Sequence, residues 1–159
     1  MNTLPSLLDG IDQRLIAALQ RGSRSSMADV ARLAGVARGT AYSRLDRLEA
    51  EGVIIGYGPD IDPGRAGYGV TAFCTLDILQ GSHDKTTAAL AAISEVIEVH
   101  TVTGVGDLLC RIIARSNDHL HEVLQQIAAL PEVMRSQTQL ALNTSHRRSV
   151  AEVVSLEVA

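Results

Sequence analysis

The chain has 159 residues, 46% of them apolar and 20% charged, and a formal net charge of −4. That length holds one ordinary domain or two small ones, and the balance of apolar to charged residues excludes a disordered chain. No apolar run approaches the roughly 20 residues of a membrane span, and the opening MNTLPSLLDG lacks the basic start and apolar stretch of a secretory signal, so the expectation is a cytoplasmic protein with no membrane partner.

Charge is unevenly placed along the chain. Residues 1–58 carry seven arginines against six acids, net +1, whereas residues 59–159 carry seven basic and twelve acidic side chains, net −5. A surface that meets phosphates must therefore lie in the first part, where Arg38, Arg44 and Arg47 fall within ten residues.

From Asp9, a candidate N-cap, Ile11, Leu15, Ala18 and Leu19 recur at helical spacing, and Gly22 is the expected stop. A second helix is predicted from a Ser25 or Ser26 cap, with Met27, Val30, Ala31, Leu33 and Ala34 as its inner face and Gly35 as its left-handed end. A third follows, with Ala41, Leu45 and Leu48 as its stripe and Gly52 beyond it. Two short helices joined by a tight glycine turn describe a helix-turn-helix, whose second helix enters the major groove of double-stranded DNA by its N-terminal end. Its outward face carries Arg38, Gly39, Thr40, Tyr42, Ser43, Arg44 and Arg47. Small and hydroxyl side chains allow close approach to base edges, and arginine takes a guanine edge or grips phosphates. Arg38, Gly39, Thr40 and Ser43 are expected near bases, Arg44 and Arg47 on phosphates. For Arg44 a structural role is the rival, and Tyr42 either stacks on DNA or packs on its own domain. A three-helix bundle with a merely solvated polar face is the plain alternative for the whole segment.

Val53 to Tyr57 and Ile61 to Pro63, on either side of Gly58-Pro59, suggest a small β ribbon, and the Gly/Pro density from Gly56 to Gly69 marks a linker. The predicted organisation is a DNA-binding domain over 1–58, a linker over 59–69 and a second domain over 70–159. In the second domain Val70 to Leu79 alternates as a strand, a helix is centred on Leu90, strands run from Val96 to Thr103 and from Leu108 to Arg115, and a helix carries Leu120, Val123, Leu124, Ile127 and Leu130. A last strand spans Val133 to Asn143. The order β-α-β-β-α-β is the ferredoxin-like arrangement, and the whole chain is α+β. The second sheet face draws on Phe73, Leu79, Val99, Leu109 and Ile113, depending on register, and invites a second copy of the chain. The tail from Val150 to Val158 reads as an edge strand, as a segment that crosses to a neighbouring subunit, or as a frayed end.

Cys74 and Cys110 sit in β-type runs and read as buried free thiols. An enzyme is the first rival function, yet no His/Asp/Glu set has metal or triad spacing: His119 and His121 point apart on one helix, and His83, His100 and His146 are scattered. The second rival is an oligomeric sensor whose N-terminal helices bind protein. No cofactor is expected.

Several strings in the chain resemble one known family. Leu8-Asp9-Gly10-Ile11-Asp12, Ile16 to Gln20, Asp29-Val30-Ala31, Gly35-Val36 and the stretch Arg44 to Tyr57, RLDRLEAEGVIIGY, followed by Ile61-Asp62-Pro63, are similar to the Lrp/AsnC or feast/famine regulators over nearly the whole length. The resemblance implies a winged or ribbon-extended helix-turn-helix followed by a ferredoxin-like βαββαβ sensing domain termed RAM. It implies homodimers that assemble to tetramers, octamers or larger forms, with an amino acid or related effector between them. It also implies an effector cleft around a "G-D/N-x-D" turn, here Gly104-Val105-Gly106-Asp107 with Thr103 before it; the polar second position is replaced by Val105. The Ser-Pro that begins many recognition helices of the family is replaced by Ala37-Arg38.

Overall fold

The computed structural model describes residues 8–21 and 26–156. In chain order its elements are α1 (Gly10–Arg21), α2 (Met27–Ala34), α3 (Arg38–Ala50), β1 (Val70–Ile78), α4 (His83–Ala91), β2 (Val96–Thr101), β3 (Leu108–Ala114), α5 (Asn117–Ala128), β4 (Val133–Ala141) and α6 (Val150–Leu156). They form two units: a helical one, up to Asp60 and again from His146 onward, and a sheet unit, Ile61–Ser145.

In the helical unit α1 begins with a reciprocal cap. Asp9 Oδ1 accepts from the amides of Ile11 (2.9 Å) and Asp12 (3.0 Å), and Asp12 Oδ2 accepts from the Asp9 amide at 3.0 Å, which satisfies donors that a helix start leaves orphaned. The core is Leu15 and Ala18 of α1, Val30, Ala31 and Ala34 of α2, and Ala41, Leu45 and Leu48 of α3. Ser26 caps α2, accepting from the Asp29 amide at 3.3 Å, and Gly35 ends it at φ 70°. Ser25 and the stop expected at Gly22 lie outside the described residues. Leu33, expected on the inner face of α2, is instead 48% exposed: at about 100° per residue it falls beside the Val30/Ala31/Ala34 stripe, not on it.

No strand forms between Ile54 and Gly69, so the expected ribbon is absent among the described residues. The amides of Val53 and Ile54 turn back to the Leu48 carbonyl (2.9 and 3.1 Å) and close α3. Beyond them Pro59 and Pro63 offer no amide donor. An isolated two-stranded ribbon is marginal in water, and Ile55 and Tyr57 stand 96% and 61% exposed.

The sheet unit is an antiparallel sheet of order β2-β3-β1-β4, the ferredoxin-like order expected. Period-two alternation puts Ala72, Cys74 and Leu76 of β1 and Leu108, Cys110 and Ile112 of β3 on the face covered by Leu90 of α4 and Val123 and Ile127 of α5. Thr71, Phe73, Thr75, Leu109 and Ile113 line the opposite, half-exposed face. Val99 does not join them: a register shift between Val96 and Glu98 sets it opposite Cys110, and it packs against the core.

The tail also departs from expectation. Val150–Leu156 is a helix, not an edge strand, and it packs on α1 of the helical unit, not with residues 70–145. Ser149 and Glu152 build a capping box there, the Glu152 amide donating to Ser149 Oγ and the Ser149 amide to the Glu152 carboxylate, and this local pairing outweighs the β-propensity of the valines. Val158 lies outside the described residues.

Cys74 and Cys110 are free, fully buried and directly opposite one another on β1 and β3. Burial raises both thiols, Cys110 to about 12 with a further push from Cys74, while the Thr138 hydroxyl donates to Cys74 Sγ at 3.4 Å. Thiols held protonated are poor nucleophiles. Iodoacetamide at pH 7 is therefore expected to alkylate them only as fast as the sheet unit unfolds, and rapid labelling of native protein would refute the burial.

Candidate functional site

The leading turn of α3 is bare. Arg38, Gly39, Thr40, Tyr42 and Ser43 are all exposed, and Ala37 at the N-cap provides no side-chain cap bond. The amides of this turn keep the positive end of the helix dipole turned to solvent, a standing attraction for anions. Arg38 lies over the Tyr42 ring, its guanidinium carbon 5.6 Å from the centroid and its Nη2 3.4 Å from the phenol oxygen. The Tyr42 hydrogen bond also raises the Arg38 pKa, so the pair stands as one stacked cation at the helix start. A side chain at Gly39 would meet nothing within 4 Å. The fold thus does not require glycine there, and its value is the room it leaves on the outside.

Arg44 and Arg47 are occupied differently. Both reach back to Asp12 of α1, whose carboxylate is fully buried: Arg47 Nη2 donates to Oδ2 at 2.6 Å and Arg44 Nη1 to Oδ1 at 3.2 Å. Arg44 also pairs with Asp9, and Arg47 with Glu51 at 3.3 Å. The Asp12 amide, then the Arg44 guanidinium, hold the Asp9 carboxyl down to about 2, and the hydrogen bonds that Arg44 donates to Asp9 and then to Asp12 raise the Arg44 pKa. A depressed carboxyl stabilises the fold above its unfolded pKa, so the Asp9 contribution is complete above about pH 4 and is lost as pH falls through about 2. The structure accordingly brings the expected base-facing residues together on one exposed turn, and it turns the two arginines expected on phosphates toward α1. Asp12 was not among the expected site residues. The signal that could have found it is its position three residues after the Asp9 cap, next to the stripe of α1.

In the sheet unit the turn between β2 and β3 is built by two left-handed glycines, Gly104 (φ 104°) and Gly106 (φ 80°). A side chain at Gly106 would strike Thr75 Cγ2 at 2.3 Å. Asp107 ties the turn to β1: its amide donates to the Leu76 carbonyl at 2.8 Å, and its Oδ2 accepts from the Ile78 amide at 2.9 Å. Beside it lies an open pocket of about 310 Å³ lined by Ile78, Leu79, Gln80, Gly81, His83, Thr101, Val102 and Asp107. His83 Nε2 is 2.6 Å from Thr101 Oγ1 across its wall. Of the five residues expected around an effector, Asp107 lines this pocket; Thr103, Gly104, Val105 and Gly106 shape the adjoining turn, with Val105 80% exposed. The Leu79–His83 wall was missed because it comes from the end of β1, whose proximity to the turn exists only once β1 pairs with β3. Among the described residues no three His, Cys, Asp or Glu side chains gather to hold a metal ion.

A helix-turn-helix with a bare leading turn, followed by a ferredoxin-like sheet unit with a pocket beside a glycine turn, defines a two-part DNA-binding regulator. The comparisons agree: residues 8–49 match the AsnC-type helix-turn-helix domain and residues 71–151 the Lrp/AsnC ligand binding domain. The chain belongs to the Lrp/AsnC family of DNA-binding transcription regulators. Among curated relatives, HTH-type transcriptional regulator FL11 of Pyrococcus horikoshii is 29% identical over 86% of this chain and 91% of its own. The solved structure of Escherichia coli AsnC superposes with a TM-score of 0.82 at 26% identity, over 91% of this chain and 99% of its own. The feast or famine regulatory protein of Mycobacterium tuberculosis complexed with L-methionine superposes at 0.78 with 31% identity, over 88% and 95% of the two chains.

Three substitutions test this geometry. Asp12→Ala leaves Arg44 and Arg47 facing an empty buried acceptor site; because their side chains are 30% and 38% exposed and can rehydrate, the expected loss is about 2 kcal/mol, below that of a fully buried pair. Denaturant unfolding of the helical unit reads it, and a change under about 0.5 kcal/mol, within the range of ordinary surface substitutions, would show the cluster to be idle. Gly106→Ala should destabilise the sheet unit more than Gly104→Ala, which carries backbone strain of about 1 kcal/mol but no clash; the reverse order in thermal unfolding would contradict the close approach to Thr75.

Proposed function

We propose that this regulator reads its operator with the leading turn of α3 and senses an amino acid or related small molecule in the pocket beside the glycine turn. The carrying observation is the exposed surface formed by Arg38, Gly39, Thr40, Tyr42 and Ser43. In this reading Arg38 and Ser43 meet base edges, Gly39 and Thr40 let the backbone come close, and Tyr42 holds Arg38 in place. Arg44 and Arg47 serve from behind, keeping α3 on α1 through Asp12, in place of the phosphate contacts expected from their sequence positions.

On the sensor side, Asp107 would pair with an effector ammonium while Ile78, Leu79 and Val102 take its apolar part. The L-methionine complex of the mycobacterial protein supports an amino acid as the ligand class. The protein works in the cytoplasm as a homodimer or a larger assembly of dimers, using the half-exposed sheet face that carries Phe73, Leu109 and Ile113. Effector binding shifts that assembly, and with it the spacing of two recognition helices.

A gel shift on the DNA upstream of its own gene, with each of the twenty amino acids and at two salt concentrations, tests both halves. A salt-sensitive shift altered by one amino acid is expected. An amino acid that binds without changing either oligomer size or DNA affinity would sink the coupling. Arg38→Ala should relax preference at particular base positions by about 1–3 kcal/mol each, and uniform weakening across all sequences would remove Arg38 from base readout.

A further inference from the structure

The pocket beside the glycine turn is small, about 310 Å³, near the lower end of the roughly 300–1,000 Å³ typical of ligand sites. A zwitterionic effector brings two charges into it. Asp107 answers the ammonium, and among the described residues of the lining there is no arginine or lysine to answer the carboxylate. Hydrogen-bond donors must do so, because a desolvated carboxylate without partners is costly. Four of the lining amides are already spent: Ile78 donates to Asp107 Oδ2, Leu79 to the Glu132 carbonyl, Val102 to the Asp107 carbonyl and Asp107 to the Leu76 carbonyl. Gly104, Val105 and Gly106 lie outside the lining. The side-chain donors on the walls are Gln80, His83 and Thr101.

Two of these are coupled. Thr101 ends β2 and His83 begins α4; His83 Nε2 lies 2.6 Å from Thr101 Oγ1, and Nδ1 faces the exposed Asp84 at 3.4 Å. The bond to Thr101 has two polarities. A ring with a proton on Nε2 donates to the Thr101 oxygen and leaves the hydroxyl hydrogen for a third group, whereas a ring without one receives that hydrogen itself. An anion beside Thr101 selects the first arrangement, because it accepts the hydroxyl hydrogen while the ring supplies one to the same oxygen. Gln80, in the turn after β1, has a long side chain that a ligand must order at a cost in entropy. The His83–Thr101 pair joins a helix to a strand and is in place before a ligand arrives.

We propose that the Thr101 hydroxyl binds the carboxylate of the effector, that His83 positions this hydroxyl from behind, and that the effector is an α-amino acid with an apolar side chain of about leucine's size. The proposal rests on the assignment of this pocket to the effector. Ile78, Leu79 and Val102 take the side chain. A second carboxylate, as in aspartate or glutamate, would meet that apolar wall or Asp107, so acidic amino acids are excluded.

The test is calorimetric titration of the full-length protein with L-leucine, L-isoleucine, L-valine and L-methionine, each beside its carboxamide, at about pH 6, where acid and amide both keep their ammonium. At least one acid should bind wild type on the order of tenfold more tightly than its amide, since a charge-assisted hydrogen bond is roughly twice as strong as a neutral one. In Thr101→Val, which keeps the shape and loses the hydroxyl, the ratio of acid to amide affinity should fall to near one. His83→Ala should lower the ratio in part, His83→Gln, whose Nε2 can still donate to Thr101, should restore it, and Gln80→Ala should leave it as in wild type. Thermal unfolding that matches wild type verifies the sheet unit in each variant. A merely structural role for Thr101 or His83 weakens acid and amide alike and keeps the ratio, and that result overturns the proposal. So does a ratio that collapses in Gln80→Ala instead, or binding of some other amino acid and none of these four. Wild-type protein that binds none of the twenty amino acids removes the effector reading itself, and the proposal with it.

Discussion

A buried carboxylate with two arginines on it organises the helical unit. Asp12 sits wholly inside, and a carboxylate there is tolerable only because Arg44 and Arg47 satisfy it from α3 while the Asp9 amide satisfies it from its own helix. The two bonds from α3 also fix how that helix lies across α1. Apolar contacts among Leu15, Leu45 and Leu48 are non-directional and hold the helices together; the ion pairs add direction, because a guanidinium donates along defined lines. A recognition helix must present its leading turn at a defined angle, and here that angle is set from behind the exposed turn of α3 by the Asp12 ion pairs.

The arrangement has a cost in charge. Arginines engaged by Asp12 have less to offer phosphates, and what stands exposed at the start of α3 is the Arg38/Tyr42 pair with the small residues around it. In the proposed reading, positioning falls to Asp12, Arg44 and Arg47, and base reading to the exposed turn that begins α3.

In the sheet unit the corresponding constraint is Asp107. It bonds to β1 through both its amide and its carboxylate, so the turn that approaches the pocket is anchored at one end and shaped by left-handed glycines at the other. Gly106 has no space for a side chain against Thr75. The close approach of turn and strand gives the pocket a wall held by both backbone and side-chain bonds.

Much of this was legible in the sequence because the signals are local. Caps at Asp9 and Ser26, the glycine after α2, the helical stripes and the alternation of β1 and β3 each depend on residues a few positions apart, and the βαββαβ order followed from them. What failed did so for local and for distant reasons. Leu33 lost its place in the core by a fraction of a helical turn, Val99 changed face through one register shift, and the ribbon lacked a strand to pair with. The tail of valines became a helix because Ser149 and Glu152 cap it and α1 receives it. The sequence by itself determined the family and, apart from the ribbon and the tail, the elements and their order, since each rests on periodicity and short motifs. Only the tertiary structure decided that Arg44 and Arg47 turn to Asp12, that Leu79, His83 and Thr101 share a pocket with Asp107, and that Ser149 and Ser155 meet Gln20 of α1, because ion pairs, sheet register and docking join residues that spacing along the chain leaves unrelated.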